Sequence, residues 1–260
     1  MIGIVLPKAD DKLLSALILQ KCKDFKVYVP GEEIAEPSLQ IVHGSWSQVA
    51  EPLVAILEPG AMPGPDYVKR ILHTASRHEE FPVYHMNVEG AKAFPRKTAA
   101  KKLFKLSLIE GAPVPLSSLI FRTDVLRSKA VFKADGSLDA LSSALSCMGS
   151  SPLRAVWKGV IGWTEPAAPG DPIARERAIR EKLDVFRFTE SFFGDNDYPL
   201  SVGDQMALFA GEIAKLYPSY SEEDLKEIMA GFKVSSGPVR KMRAHSALKK
   251  AIKERQNQLK

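Results

Sequence analysis

Short apolar runs alternate with amphipathic segments along the first part of the chain. Four early runs, IGIVLP, FKVYVPG, LQIVHG and PLVAIL, are rich in β-branched residues and stop at proline, glycine or a polar residue, as buried strands do. Between and after them, DDKLLSALILQKCKDF and DYVKRILHTASRHEE are typical of helices. This alternation predicts an α/β fold with a mixed, mainly parallel sheet flanked by helices.

The same pattern continues to about residue 165. It predicts further strands in PVYHMNV and RAVWKGVIGWTE, and further helices in RKTAAKKLFKLSLIEG and DGSLDALSSALSCMG. The stretch EPAAPGDP, at 165–172, predicts a linker, and nearly all of the sequence after it is typical of helices. We therefore expect an α/β domain of residues 1–168 and a helical C-terminal region of residues 169–260.

Composition and charge narrow the class of protein. The 260 residues are 45% hydrophobic, which is enough for a sizeable core, and Cys22 and Cys147 suggest neither a disulfide framework nor a CxxC metal site. The N-terminus lacks the pattern of a signal peptide, so we expect a cytoplasmic protein. There is no Walker A sequence and no GxGxxG, which argues against an NTPase or a dinucleotide enzyme.

A net charge of +5 is concentrated in two basic helical segments, PRKTAAKKLFKL and VRKMRAHSALKKAIKERQNQLK. Such helices most often present a solvated face or an oligomer contact, and they are also compatible with peripheral binding to an anionic membrane surface. Nucleic acid is not expected as a partner, because no aromatic-interleaved module accompanies the basic residues. The sequence leaves the oligomeric state open.

Three segments carry a family resemblance through their order and spacing. In PLVAILEPGAMPGPDYVKRIL a strand runs into an acidic residue, a proline-rich turn and a helix. In GAPVPLSSLIFRTDVLRSKAVF a small-residue turn precedes S-x-x-F-R-x-x-x-L, and DGSLDALSSALSCMGSSPLRAVWKGVIGW places acidic residues before a helix and a last strand. Over roughly residues 1–165 the chain resembles glycosyltransferases of the GT-A fold, family 2 type.

The resemblance implies transfer of a sugar, with inversion, from a nucleotide-sugar donor to an acceptor hydroxyl, on a glycan or lipid-linked acceptor. In that family a divalent cation, Mn²⁺ or Mg²⁺, held by an Asp-x-Asp motif neutralises the leaving diphosphate. The matching positions here are Glu58-Pro59-Gly60, so Glu58 is the candidate metal ligand and Asp66 the candidate helper. Alternatively, Glu58 is only a polar strand end before a turn stiffened by prolines.

The resemblance also assigns a catalytic base and donor-binding residues. Asp139 stands where the family has its base, with Asp135 one helical turn earlier as a substitute, and either carboxylate could instead cap a helix. Glu32 and Glu33 match the nucleobase-binding segment, displaced by Pro30-Gly31. Arg122 is a candidate for donor phosphate, or a partner of Asp124.

The sequence is compatible with two functions from different classes. Asp139 and the orderly acceptor segment favour a glycosyltransferase. Gly60, which supplies no second carboxylate, and the short stretch before residue 53 favour a glycosyltransferase-like protein that is catalytically inactive and serves as a binding or scaffolding partner.

Overall fold

The computed structural model describes residues 1–8, 10–31, 34, 36–109, 112–133, 135–164, 181, 184–185, 187–189 and 191–194. The chain divides into two compact units, Met1–Pro166 and Ala167–Lys260. Most of the predicted helical region, 169–260, lies outside the described residues and stays a prediction. In the described part, no helix is both long and apolar enough to cross a membrane.

One mixed sheet forms the centre of the first unit. Its strands are β1 Ile2–Val5, β2 Phe25–Val29, β3 Ile41–His43, β4 Leu53–Ile56, β5 Ala61–Pro63, β6 Val83–Val88, β7 Lys97–Thr98, β8 Leu119–Arg122 and β9 Leu153–Trp163. Their order is β3-β2-β1-β4-β8-β6-β9-β5, and β7 pairs with β9. The pairs within β1–β4 and the pair β6–β9 are parallel, whereas β8 runs antiparallel to β4 and β6. The predicted fold class is confirmed.

Five α-helices flank the sheet in the described residues: α1 Asp11–Ile18, α2 Tyr67–Arg77, α3 Ala100–Phe104, α4 Thr123–Lys129 and α5 Ala140–Met148. Helix α1 begins where the Asp10 carboxylate accepts the backbone N–H groups of Lys12 and Leu13. It ends earlier than its apolar pattern predicts, because the chain turns and the backbone N–H of Lys21 donates to the carbonyl of Pro65.

The two faces of the sheet bury different elements. Ile2, Ile4 and other alternate strand residues join Leu13 and Leu17 of α1 and Ile71 of α2 in the main hydrophobic cluster. The residues between them point to the other face of the sheet. Gly3 is one of these, and the buried Val49 packs over it. Helix α5 packs on β6 and β8. Because β1, β2, β3 and β4 are parallel, their carboxyl ends meet at one edge of the sheet, where ligands bind in open α/β sheets.

Candidate active site

Glu58 lies at that edge, two residues beyond the end of β4. Its backbone N–H donates to Ser117 Oγ over 2.8 Å, which ties the tip of β4 to the turn before β8. Burial raises the pKa of the Glu58 carboxyl, and the ammonium of Lys133 and the backbone N–H groups of Leu116 and Ser117 offset part of that rise. The tip of β4 therefore holds a partly buried carboxylate facing a lysine.

We expect Glu58→Gln to raise the unfolding midpoint at pH 7. A folded-state pKa above the ordinary value of 4.5 means that the folded protein binds the proton more tightly than the unfolded chain does. The contribution of Glu58 to stability is thus fully present below pH 4.5 and is lost as pH rises through the folded pKa, and glutamine removes this loss. Thermal unfolding from pH 4 to pH 8 should show a gain that shrinks towards acid. A variant less stable than wild type at pH 7 would show that the charged carboxylate stabilises the fold.

A short hairpin carries Lys133, whose charge acts on the Glu58 carboxyl. Phe132 pairs with Leu138 across it, and the backbone N–H of Asp139 donates to the carbonyl of Val131 over 2.9 Å. The same hairpin therefore carries Lys133 on one arm and ends in Asp139, the first residue before α5. This arrangement links the candidate base to the tip of β4 through one small element.

Asp139 caps helix α5. Its carboxylate accepts the backbone N–H of Ser142 over 2.7 Å, and the residue is only partly buried. A carboxylate has about four acceptor positions, so one capping bond leaves it able to accept a proton. Capping and catalysis are compatible here. Asp135 lies instead at the exposed turn of the hairpin, where it accepts the N–H and hydroxyl of Ser137.

Asp66 precedes α2, where its carboxylate lies 3.4 Å from Lys21 Nζ and 3.7 Å from Arg70 Nη2. Its carboxylate thus has two cationic side chains as partners. That Asp66 assists Glu58 in holding a cation stays a prediction.

Gly60 stands where the Asp-x-Asp motif has its second aspartate. Its backbone is left-handed, with a φ of +92°. Its carbonyl accepts the backbone N–H of Thr164 over 3.2 Å. Across the described residues, no group of three or more His, Cys, Asp or Glu side chains is placed to hold a metal ion. In the described part of the chain, the strand tips thus offer the carboxylate of Glu58 but no cluster of ligands for the Mn²⁺ or Mg²⁺ that the resemblance implies.

Arg122 lies at the opposite end of β4. It pairs with Leu53 in the antiparallel register of β4 and β8, and its guanidinium donates to the carbonyl of Glu79. Five strand residues, about 16 Å, separate Leu53 from Glu58. This placement corrects the expectation that Arg122 contacts donor phosphate beside Glu58. Glu32 and Glu33 lie outside the described residues.

Sequence reasoning missed Lys133 and an aromatic pair beside it. The ring centroids of Trp46 and Phe132 are 5.8 Å apart, and Phe132 remains 51% exposed. Trp46 follows the end of β3, so the pair lies near the strand tips. In the sequence, these residues are marked only by a phenylalanine next to a lysine, a few positions before the candidate base.

Comparison with solved structures identifies the fold. A mannosyltransferase from Pyrobaculum calidifontis, PcManGT, solved with GDP-Man and Mn²⁺, matches with a TM-score of 0.50 and 11% identity over 98% of this chain and 86% of its own. The fold is that of GT-A glycosyltransferases. The predicted resemblance is thus confirmed at the level of fold.

Other matches are of the same type and equally distant in sequence. TarS from S. aureus, residues 1–349, has a TM-score of 0.49 and 12% identity over 98% of this chain and 81% of its own. Glucosyl-3-phosphoglycerate synthase from Mycobacterium tuberculosis, with Mg²⁺ and UDP, has a TM-score of 0.47 and 12% identity over 74% and 79% of the two chains. No family model and no curated protein matches the sequence.

Proposed function

We propose that the chain transfers a sugar from a nucleotide-sugar donor to an acceptor hydroxyl at the strand tips around Glu58. The observation that supports this most is the hairpin that carries Lys133, whose charge acts on Glu58, and that ends in Asp139. This hairpin belongs to a GT-A fold and lies at the sheet edge where ligands of open α/β sheets bind.

In this proposal Asp139 is the general base. Its carboxylate takes the proton from the acceptor hydroxyl while that oxygen forms a bond to the anomeric carbon. The bond from the anomeric carbon to the diphosphate breaks, and its electron pair leaves with the diphosphate. Attack from the side opposite the leaving group inverts the anomeric configuration.

Lys133 provides positive charge for the leaving diphosphate. Where the Asp-x-Asp motif would hold a cation, the charge of Lys133 acts on the single carboxylate of Glu58. A fixed cation near developing negative charge lowers the barrier without reorganising at the moment of reaction.

Donor binding in the absence of metal tests the proposal. Isothermal titration with UDP-, GDP-, CMP- and dTDP-linked sugars, in EDTA and then with Mn²⁺, should show one donor that binds equally well in both. Lys133→Gln should weaken that donor about tenfold or more, since charge-assisted bonds to phosphate are lost. Lys12→Gln, on α1, removes the same charge and should leave binding unchanged.

Two results would contradict this arrangement. Binding that requires Mn²⁺ would mean that a metal, and not Lys133, neutralises the diphosphate. Equal weakening by Lys12→Gln would mean that the lysine acts only through net charge.

A second candidate function is that of a glycosyltransferase-like binding or scaffolding protein. The observation that favours it is Gly60, which stands where the motif has its second carboxylate and supplies no side-chain ligand. This function predicts no binding of any donor with or without metal, and release of nucleoside diphosphate from any nucleotide sugar would refute it.

A further inference from the structure

A second concave site lies between helix α2 and the middle of β9, and none of the candidate residues of the strand tips lines it. Its volume is about 380 Å³, within the range of small-molecule sites. His73, Arg77 and His78 line one wall, and Arg154, Trp157 and Lys158 line another.

Cations converge on this pocket from three separate parts of the chain. Arg77 comes from α2, Arg96 from the segment before β7, and Arg154 and Lys158 from β9, while no Asp or Glu is among the described lining residues. Arg77, Arg96 and Lys158 are exposed, and none forms an ion pair with any carboxylate that the structure describes. Four cations in one concavity, without a carboxylate partner among the described residues, repel each other and attract an anion.

Arg154 adds a buried donor that lacks an acceptor. Its Nη2 lies 2.8 Å from His78 Nε2, and its guanidinium lies 5.9 Å from the ring centroid of Phe81. These contacts hold the side chain in place, yet its Nε is buried with no hydrogen-bond partner. Buried donors in folded proteins are nearly always paired, so the described residues leave an unsatisfied donor on a side chain that lines the pocket.

A bulge in β9 shapes the pocket. The pairing with β6 shifts register between His85 and Asn87, and Lys158 adopts a left-handed φ of 49°. Consecutive residues of a strand normally face opposite ways, but Trp157 and Lys158 are both exposed and both line the pocket. The strained backbone at Lys158 therefore sets an indole face and an ammonium side by side, with Lys158 Nζ 5.9 Å from the ring.

The end of a helix does not account for this cluster. The C-terminus of α2 attracts cations, which suffices to explain Arg77, but Arg96, Arg154 and Lys158 lie on other elements.

We propose that this pocket binds a phosphorylated sugar, as a second ligand site separate from the strand tips. Arg77, Arg96, Arg154 and Lys158 hold the phosphate, and Trp157, 60% exposed, packs against the apolar face of the sugar ring. The enclosed shape favours a small phosphate ester over nucleic acid, which needs cations spread along an extended groove.

Titration with three probes tests the site. In EDTA, wild-type protein should bind glucose 6-phosphate more tightly than inorganic phosphate, and glucose hardly at all. Arg77→Gln/Lys158→Gln should weaken both phosphate probes about tenfold or more. Lys12→Gln/Lys129→Gln, which removes two exposed charges from α1 and α4, should change them by less than about twofold.

Three results would overturn the proposal. One is no binding of either phosphate probe to wild-type protein, and another is equal weakening by the two double variants. The third is the absence of any contribution from the sugar. In that case glucose 6-phosphate binds no more tightly than inorganic phosphate does, or it still binds more tightly when Trp157 is replaced by alanine. Lys133→Gln should leave all three probes unaffected, so this site and the proposed donor site can fail independently.

Discussion

Asp139→Asn should reduce sugar transfer by about 10²- to 10⁴-fold, the usual contribution of a general base, while the donor binds as tightly as before. Asparagine has nearly the same shape and cannot take the acceptor's proton. It also caps helices as well as aspartate does, so the bond from the N–H of Ser142 survives and the fold keeps its stability. Initial rates of nucleoside diphosphate release, with donor affinity from titration, measure both effects.

Asp10→Asn is the matched control for this experiment. Asp10 caps α1 through Lys12 and Leu13, as Asp139 caps α5, but it lies at the start of a different helix. The control should retain full activity. Retention of activity by Asp139→Asn as well would leave Asp139 a capping residue only, and a loss of donor binding would mean that it positions the donor.

Gly3→Ala should destabilise the α/β unit by about 1–3 kcal/mol, the usual cost of overpacking a tight core. A Cβ on Gly3 would lie 2.3 Å from Val49 Cγ1, 3.2 Å from Glu51 Oε2 and 3.3 Å from Tyr28 Cε2. The last two side chains are themselves joined, because the Tyr28 hydroxyl donates to Glu51 over 2.7 Å. The surroundings therefore have little room to yield, and denaturant unfolding measures the loss.

A double-mutant cycle with Val49→Ala tests whether this contact causes the loss. Val49→Ala removes Cγ1 and leaves a small cavity, which the new methyl group on residue 3 fills. The double variant should then lose about 0.5–3 kcal/mol less than the sum of the two single losses. Gly64→Ala, with no atom within 4 Å of its added Cβ and no left-handed backbone, should have little effect. Strict additivity would place the strain elsewhere.

The fold was largely predictable because the parallel strands are buried on both faces and read as continuous apolar runs. IGIV, FKVYV and LVAI are strands as predicted, and the pattern of α2 was equally clear. The antiparallel pair of Ala61–Pro63 with the end of β9 was not predictable, since it joins residues about a hundred positions apart. Helix α3 is shorter than its pattern suggests, because a π-helical turn at Lys105–Ile109 replaces its second half.

The site was less predictable than the fold, since sequence order gives no distance between side chains. The strand tip at Glu58 follows directly from the pattern of β4. The position of Arg122 depends on β8 running antiparallel to β4, which sends the end of β8 away from Glu58. Lys133 approaches Glu58 only because a hairpin precedes α5, and no periodicity marks a hairpin of nine residues.

The backbone at Gly60 bears on how readily this protein could acquire an Asp-x-Asp motif. An aspartate there would have to adopt a φ of +92°, and its Cβ would lie 3.1 Å from the carbonyl oxygen of Thr164. That turn is fixed by the pairing of Ala61–Pro63 with the last residues of β9. An aspartate at position 60 would therefore strain this turn, and compensating changes around Thr164 would have to accompany it. In the proposed function, the charge of Lys133 takes the place of a cation whose second carboxylate ligand this turn disfavours.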